Sequence, residues 1–304
     1  MTSLAGEPQR ELLKRARHRL SAATVCALCL VAVVVATRAD SPTKLGGKAS
    51  ADYAPVTGNK NITAAWFSDP TDRYRHFVLG ARSEPETLEA TSGGKHYRLT
   101  LGPESVFEDR RPRLADINGD GEDEIVVVRS YISGGAALAV FQVRPDGLSL
   151  LAETPDMGHP FGWLNPAGIA DYDGDGKTEI AFVRKPHVLG RLELWRYTDA
   201  QLVRVHSVDG ASNHPIGSEH TDLSATRDVD GDGVPDLIVP SFDRRFIRAL
   251  SFTPTVRELS RLALPSAVVG SFQQHDDGTI TALLESGQTA RLRVGRARAL
   301  ELVP

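Results

Sequence analysis

Cysteine is nearly absent: the chain holds two in 304 residues, Cys26 and Cys29, both in one apolar stretch near the N-terminus. No disulfide can therefore brace the polar remainder of the chain. Their C-x-x-C spacing would suit half of a zinc site, but zinc needs four ligands and there is no second pair. They read as neighbours within a lipid-facing segment, and neither is preceded by the Gly, Ala or Ser of a lipobox. A clustered basic excess is missing too. Net charge is −4, with +3 over residues 1–40 and −7 over the rest, which excludes the footprint of a nucleic-acid binder. Catalytic signatures are also lacking, with no G-x-S-x-G elbow, no H-E-x-x-H and no phosphate-cradling loop. Histidines are scattered (His159, His187, His206, His214, His220, His275) and make no spaced metal pair. After Lys60 no stretch sustains a helical period.

One long hydrophobic run exists. Residues 20–37, LSAATVCALCLVAVVVAT, carry no charge and come after Lys14, Arg15, Arg17 and Arg19. The positive-inside rule places residues 1–19 in the cytoplasm and the rest of the chain outside the membrane. The run is 18 residues long, between a signal-peptide core and a full transmembrane helix. Small-residue cleavage sites occur at Val34-Val35-Ala36 and Thr37-Arg38-Ala39, whereas the 19-residue polar segment ahead of the run favours an uncleaved anchor. Both readings export the chain beyond residue 37. Residues 38–60, rich in Gly, Pro, Ser, Thr and Lys, read as a tether to a domain over 61–304. Asn61-Ile62-Thr63 fits a glycosylation sequon, which matters only in a eukaryotic secretory route.

Repeats dominate the exported part. RLADINGDGEDEIVVV (113–128), GIADYDGDGKTEIAFV (168–183) and ATRDVDGDGVPDLIVP (225–240) align without gaps. Their first aspartates are Asp116, Asp171 and Asp228. Two weaker copies extend the series, with Ser68 and Ser271 at the first-aspartate position and Phe77 and Ile280 where an apolar strand should resume. In the second intact copy four short strands are expected, over 167–171, 180–184, 191–197 and 202–206, with turn residues between them. Trp195 in RLELWRY reads as packing core, whereas Trp163 in HPFGWLNP could line a ligand surface. Four strands per repeat over five repeats predicts an all-β propeller of five four-stranded blades.

The loops carry the chemistry. DINGDGEDE, DYDGDGKTE and DVDGDGVPD share oxygen-bearing residues at positions 1, 3, 5 and 9. These are Asp116, Asn118, Asp120 and Glu124; Asp171, Asp173, Asp175 and Glu179; and Asp228, Asp230, Asp232 and Asp236. Calcium, a hard cation wanting six to eight oxygens, matches that set, and the backbone carbonyls of Glu122, Lys177 and Val234 at position 7 would add another ligand. Glycines at positions 4 and 6 let the backbone curl where a Cβ would clash. An EF-hand loop begins the same way but needs a bidentate Glu at position 12, which is Val127, Phe182 or Val239 here. A metal-free Asp/Gly turn is the plain alternative. Against it stand eleven carboxylates at the ligand positions, which would repel one another without cations.

With its three loops, each leading into an apolar strand, the chain resembles the FG-GAP/VCBS repeats of integrin α-subunit propellers and of many exported bacterial proteins. Phe161-Gly162 matches the first half of the family's name, and the second half is replaced by Arg129-Ser130, Lys185-Pro186 and Ser241-Phe242. The resemblance implies a propeller with calcium between the first two strands of a blade, about three ions in all, held by the residues named above. It also implies binding of a protein or glycan rather than catalysis. Propellers of the family often have seven blades, more than this chain can supply. The enzymatic alternative is a carbohydrate-active propeller, a glycosidase or polysaccharide lyase. Glycoside hydrolysis would need two carboxylates facing one another across a pocket, and the sequence pairs none of its spare acids (Asp69, Asp72, Asp109, Asp156, Asp222, Asp276).

Overall fold

A computed structural model describes Tyr53 and residues 55–303. The basic segment 1–19, the apolar run 20–37 with Cys26 and Cys29, and the tether through residue 52 lie outside the described residues. Among the described residues no helix is long and apolar enough to cross a membrane.

The described chain is all-β, as expected, in five antiparallel sheets that succeed one another in sequence. The first sheet holds β1 (Val56–Thr57), β2 (Ile62–Thr71), β3 (Glu84–Ser92) and β4 (Lys95–Thr100). The second holds β5 (Ser105–Phe107), β6 (Arg113–Ala115), β7 (Glu124–Tyr131), β8 (Gly135–Arg144) and β9 (Gly147–Glu153). Its first strand is split, so that β5 and β6 both pair with β7. The third holds β10 (Leu164–Ala170), β11 (Glu179–Arg184), β12 (Arg191–Thr198) and β13 (Gln201–Asp209). The fourth holds β14 (Ala225–Arg227), β15 (Asp236–Pro240), β16 (Phe246–Ser251) and β17 (Arg257–Ala263). The last holds β18 (Gln273–Gln274), β19 (Ile280–Leu283), β20 (Thr289–Val294) and β21 (Leu300–Val303). Successive four-strand meanders of this kind are consistent with a propeller-like fold, and no sheet closes on itself.

Side-chain alternation explains how the sheets pack. In β7, Ile125 and Val127 join a cluster with Phe67 and Leu88 of the first sheet, while Val126 and Val128 join one with Ile180 and Phe182 of the third. In β11, Ala181 and Val183 pack with Leu237 and Val239 of the fourth sheet. In β15, Ile238 packs with Ile280 and Leu292 of the fifth. Strand positions buried on both faces must be apolar, which is why IVVV, IAFV and LIV, following the position-9 acids, read as unbroken runs. β19 is covered on one face: Ile280 and Ala282 are buried, while Leu283 is exposed. Trp195 is buried against the second-to-third-sheet core as expected. Trp163 is buried there too, its Nε1 donating to the Glu108 carbonyl at 3.1 Å, so it does not line a surface.

The outer repeats differ from expectation. Ser68 lies inside β2 and is fully buried, so it does not open a loop. Phe77 is not a strand residue but an exposed one between β2 and β3. The loop equivalent to the acidic ones is the short 58–61 segment between β1 and β2, and the first sheet thus begins upstream of residue 61. In the last sheet Ile280 does open the second strand, but Ser271 precedes β18 and the loop shrinks to 275–279.

The first strands β6, β10, β14 and β18 line a cavity of about 450 Å³. It is walled by small residues of β10 and β14 and by Arg111, Arg113, Asp222, Thr226 and Gln274.

Candidate metal centre

Each acidic loop joins the first strand of its sheet to the second: β6 to β7, β10 to β11, β14 to β15. The acid at position 9 is the first residue of the second strand in all three, Glu124, Glu179 and Asp236. Strand pairing therefore fixes it against the loop.

One hydrogen-bond pattern recurs three times. The aspartate at position 1 accepts the N–H groups of positions 4 and 6 on its two oxygens, at 2.6–3.0 Å, for Asp116, Asp171 and Asp228. Asn118, Asp173 and Asp230 at position 3 accept the N–H of position 5 at 2.8–3.3 Å. Asp120, Asp175 and Asp232 at position 5 accept the N–H of Glu122, Lys177 and Val234 at 2.8–3.0 Å. The acid at position 9 turns back to accept the N–H of position 2, from Ile117, Tyr172 or Val229, at 2.8–2.9 Å. The position-4 and position-6 glycines have φ between 72° and 91°, which side-chain-bearing residues rarely adopt. A side chain there would strain the backbone conformation that aims these amides inward.

The pattern spends one oxygen of each acid at positions 3, 5 and 9 on the turn's own N–H groups and keeps the other out of those backbone bonds. Oxygens of Asp171, Asp173 and Glu179 lie within 4.8 Å of one another, as do those of Asp228, Asp230 and Asp236. An all-oxygen set that dense fits a hard divalent ion such as calcium. In the first loop Asn118 replaces the position-3 acid, and its amide donates to Asp120 and Glu124 at 2.9 Å. Like charge within a half-buried turn disturbs titration. Burial pushes Glu124 up to about 7, with Asp120 and Asp116 adding to the rise. Burial likewise pushes Asp236 up to about 6, aided by Asp230 and Asp232. Glu179 is also raised by burial, against the pull of Arg196.

Of the twelve side chains named from the spacing, the structure clusters the oxygens of Asp171, Asp173 and Glu179 and of Asp228, Asp230 and Asp236, while Asp175, Asp232 and the first loop's Asp116, Asn118, Asp120 and Glu124 share only the hydrogen-bonded turns. Glu122, Lys177 and Val234 sit at position 7 with their N–H groups held. Sequence reasoning missed the position-2 residues. Ile117, Tyr172 and Val229 are buried and anchor each loop in a core cluster. Their signal was an apolar residue after each first aspartate. It also missed Asn61, whose amide accepts from Asp123 N at 2.7 Å and donates to Asp123 O at 3.2 Å, tying the first sheet to the first loop.

Residues 116–182 and 171–239 match the family model of the FG-GAP-like repeat. The chain therefore carries FG-GAP-like repeats across its three acidic loops. No curated protein matches it at a significant level.

Proposed function

We propose that the chain is an exported calcium-binding β-propeller of five blades whose role is to bind a protein or glycan, with calcium as structural staple. The observation that carries this reading is the threefold recurrence of one hydrogen-bonded turn, whose position-9 acid keeps one oxygen outside the turn's own backbone hydrogen bonds, with the acids of the second and third loops converging. Calcium supplies positive charge to neutralise the clustered carboxylates. Asp116, Asn118, Asp120 and Glu124 would hold one ion. Asp171, Asp173, Asp175 and Glu179 would hold a second, and Asp228, Asp230, Asp232 and Asp236 a third, with the position-7 carbonyls contributing. Export rests on the basic cluster preceding the apolar run, and membrane anchoring through that run is part of the same proposal. A reporter that works only outside the cytoplasm, fused after residue 304, should be active.

Binding is favoured over carbohydrate catalysis by the cavity between the first strands. Asp222 is the carboxylate in its lining, and it is held by Arg111 at 2.7 Å. Glycoside hydrolysis needs two carboxylates across the bond to be cut. Equilibrium dialysis of the full chain against radioactive calcium tests the reading. Saturable binding should weaken in Asp116→Ala and Asp228→Ala and persist in Ser68→Ala. Absence of saturable binding by the unmutated chain would refute it.

A further inference from the structure

The three loops share a backbone, yet the strand beside them does not treat them alike. The third strand of each sheet places one residue opposite the position-9 acid. In the third sheet that pair is Glu179 and Arg196. In the second, Ile125 faces Phe141, so the register sets Gln142 opposite Glu124. In the fourth, Leu237 faces Leu250, so Ser251 stands opposite Asp236. A cation is built into the register of the second loop alone.

That cation sits on the oxygens the backbone leaves free. Asp173, Asp175 and Glu179 use Oδ1, Oδ1 and Oε2 for the turn's own N–H groups. Arg196 takes the complementary atoms: its Nη2 donates to Asp173 Oδ2, its Nη1 to Asp175 Oδ2 at 2.8 Å, and its Nε to Glu179 Oε1 at 2.7 Å. The side chain is 13% exposed, and the planar fork matches carboxylates arranged around it. The third loop is different. Arg257 comes from the fourth strand, is 40% exposed, and reaches Asp230 at 2.5 Å and Asp232 at 4.0 Å but not Asp236. In the first loop no arginine among the described residues touches Asp116, Asp120 or Glu124, and Lys60 approaches Asp116 only to 4.0 Å.

We propose that Arg196 is an internal counter-ion occupying the cation position of the second loop, so that calcium and the guanidinium exclude one another there. The second loop then holds its shape without metal. It fills last, at a calcium concentration set by Arg196, while the first and third loops fill first. This rests on the calcium reading of the loops and goes beyond it, because it breaks the equivalence that the repeats suggest. Calcium entering the second loop must expel a side chain of β12, which also gives that loop a built-in response to calcium level.

The test is calcium binding by the full chain, by calorimetric titration and by ion count in native mass spectrometry, for the unmutated protein, Arg196→Gln and Arg196→Lys. The unmutated chain should bind two ions and then a third about tenfold or more weakly. Arg196→Gln should tighten that weakest site by the same factor, and Arg196→Lys, a cation without the fork, by less. In chelator Arg196→Gln should melt below the unmutated protein, with millimolar calcium closing the gap. Should Arg196→Gln fail to fold in either condition, Arg196→Lys decides: a weakest site no tighter than in the unmutated chain refutes the proposal. Three equal ions in the unmutated chain, unchanged by Arg196→Gln, would overturn the role of Arg196 while leaving calcium binding intact. No ion in any variant removes the calcium reading itself, and the exclusion with it.

Discussion

Tyr172 joins a loop to the core, and its removal should separate the two contributions. Its N–H fixes Glu179, its hydroxyl lies 2.8 Å from Thr226 Oγ1, and its ring meets Phe252 edge-on in the cluster between the third and fourth sheets. Tyr172→Ala empties a fully buried aromatic site, for which a loss of about 3–5 kcal/mol is expected. Tyr172→Phe keeps the ring and removes the hydroxyl, leaving Thr226 to re-pair, and should lose about 1 kcal/mol. The backbone N–H survives both changes, so a loss far larger for alanine than for phenylalanine assigns the anchoring to ring packing. Gly168→Ala is the complementary insertion: a Cβ there would stand 2.0 Å from the Tyr172 hydroxyl, forcing the ring from its place. Urea unfolding of the full chain, monitored by far-ultraviolet circular dichroism at constant calcium, reads all three. A Tyr172→Ala loss below about 1 kcal/mol, or one equal to that of Tyr172→Phe, would refute the anchor role.

The same geometry sets two further outcomes. Glu124 has a folded pKa raised by burial from 4.5 to about 7, so in chelator it favours the folded state below pH 4.5 and loses that contribution as pH rises through 7. Glu124→Gln, fixed neutral, should therefore match the unmutated protein near pH 4.5 and exceed it at pH 8 by on the order of 1–3 kcal/mol in thermal melts. Equal stability at pH 8 would contradict this, and calcium should abolish the difference by favouring the charged acid. Asn61→Ala removes both hydrogen bonds to the Asp123 backbone and should lower stability by about 1–2 kcal/mol, which differential scanning calorimetry can read.

How much was legible in the sequence depended on whether an element's signal was local. The three loops were, because a turn that wraps oxygens around a centre needs acids at alternating positions and glycine where φ is positive. The strands after them were legible because burial on both faces forces unbroken apolar runs. The first sheet was misread for an equally physical reason. Ser68-Asp69-Pro70 has the composition of a turn, but β2 runs through it with Asp69 at φ 54°, its Oδ2 accepting from Thr87 Oγ1 and from Arg98. That compensation comes from β3 and β4, 18 and 29 residues away, where no local pattern could reveal it. Arg196 was hidden likewise. In RLELWRY it is one polar residue of an alternating strand, and only the register across to Glu179 makes it a counter-ion.

The staple role of calcium is tested most directly by the melting temperature of the full chain in millimolar calcium and in EGTA. Free calcium at ten times the dissociation constant contributes about 1.4 kcal/mol per site. Two filled loops should then raise the midpoint by about 5–10 °C, given roughly 2–4 °C per kcal/mol for a domain of this size. The rise should shrink in Asp228→Ala and remain in Gln273→Ala, in β18 just ahead of a loop that lacks the acid set. The same midpoint in calcium and in EGTA would contradict the staple role and reduce the three loops to metal-free turns.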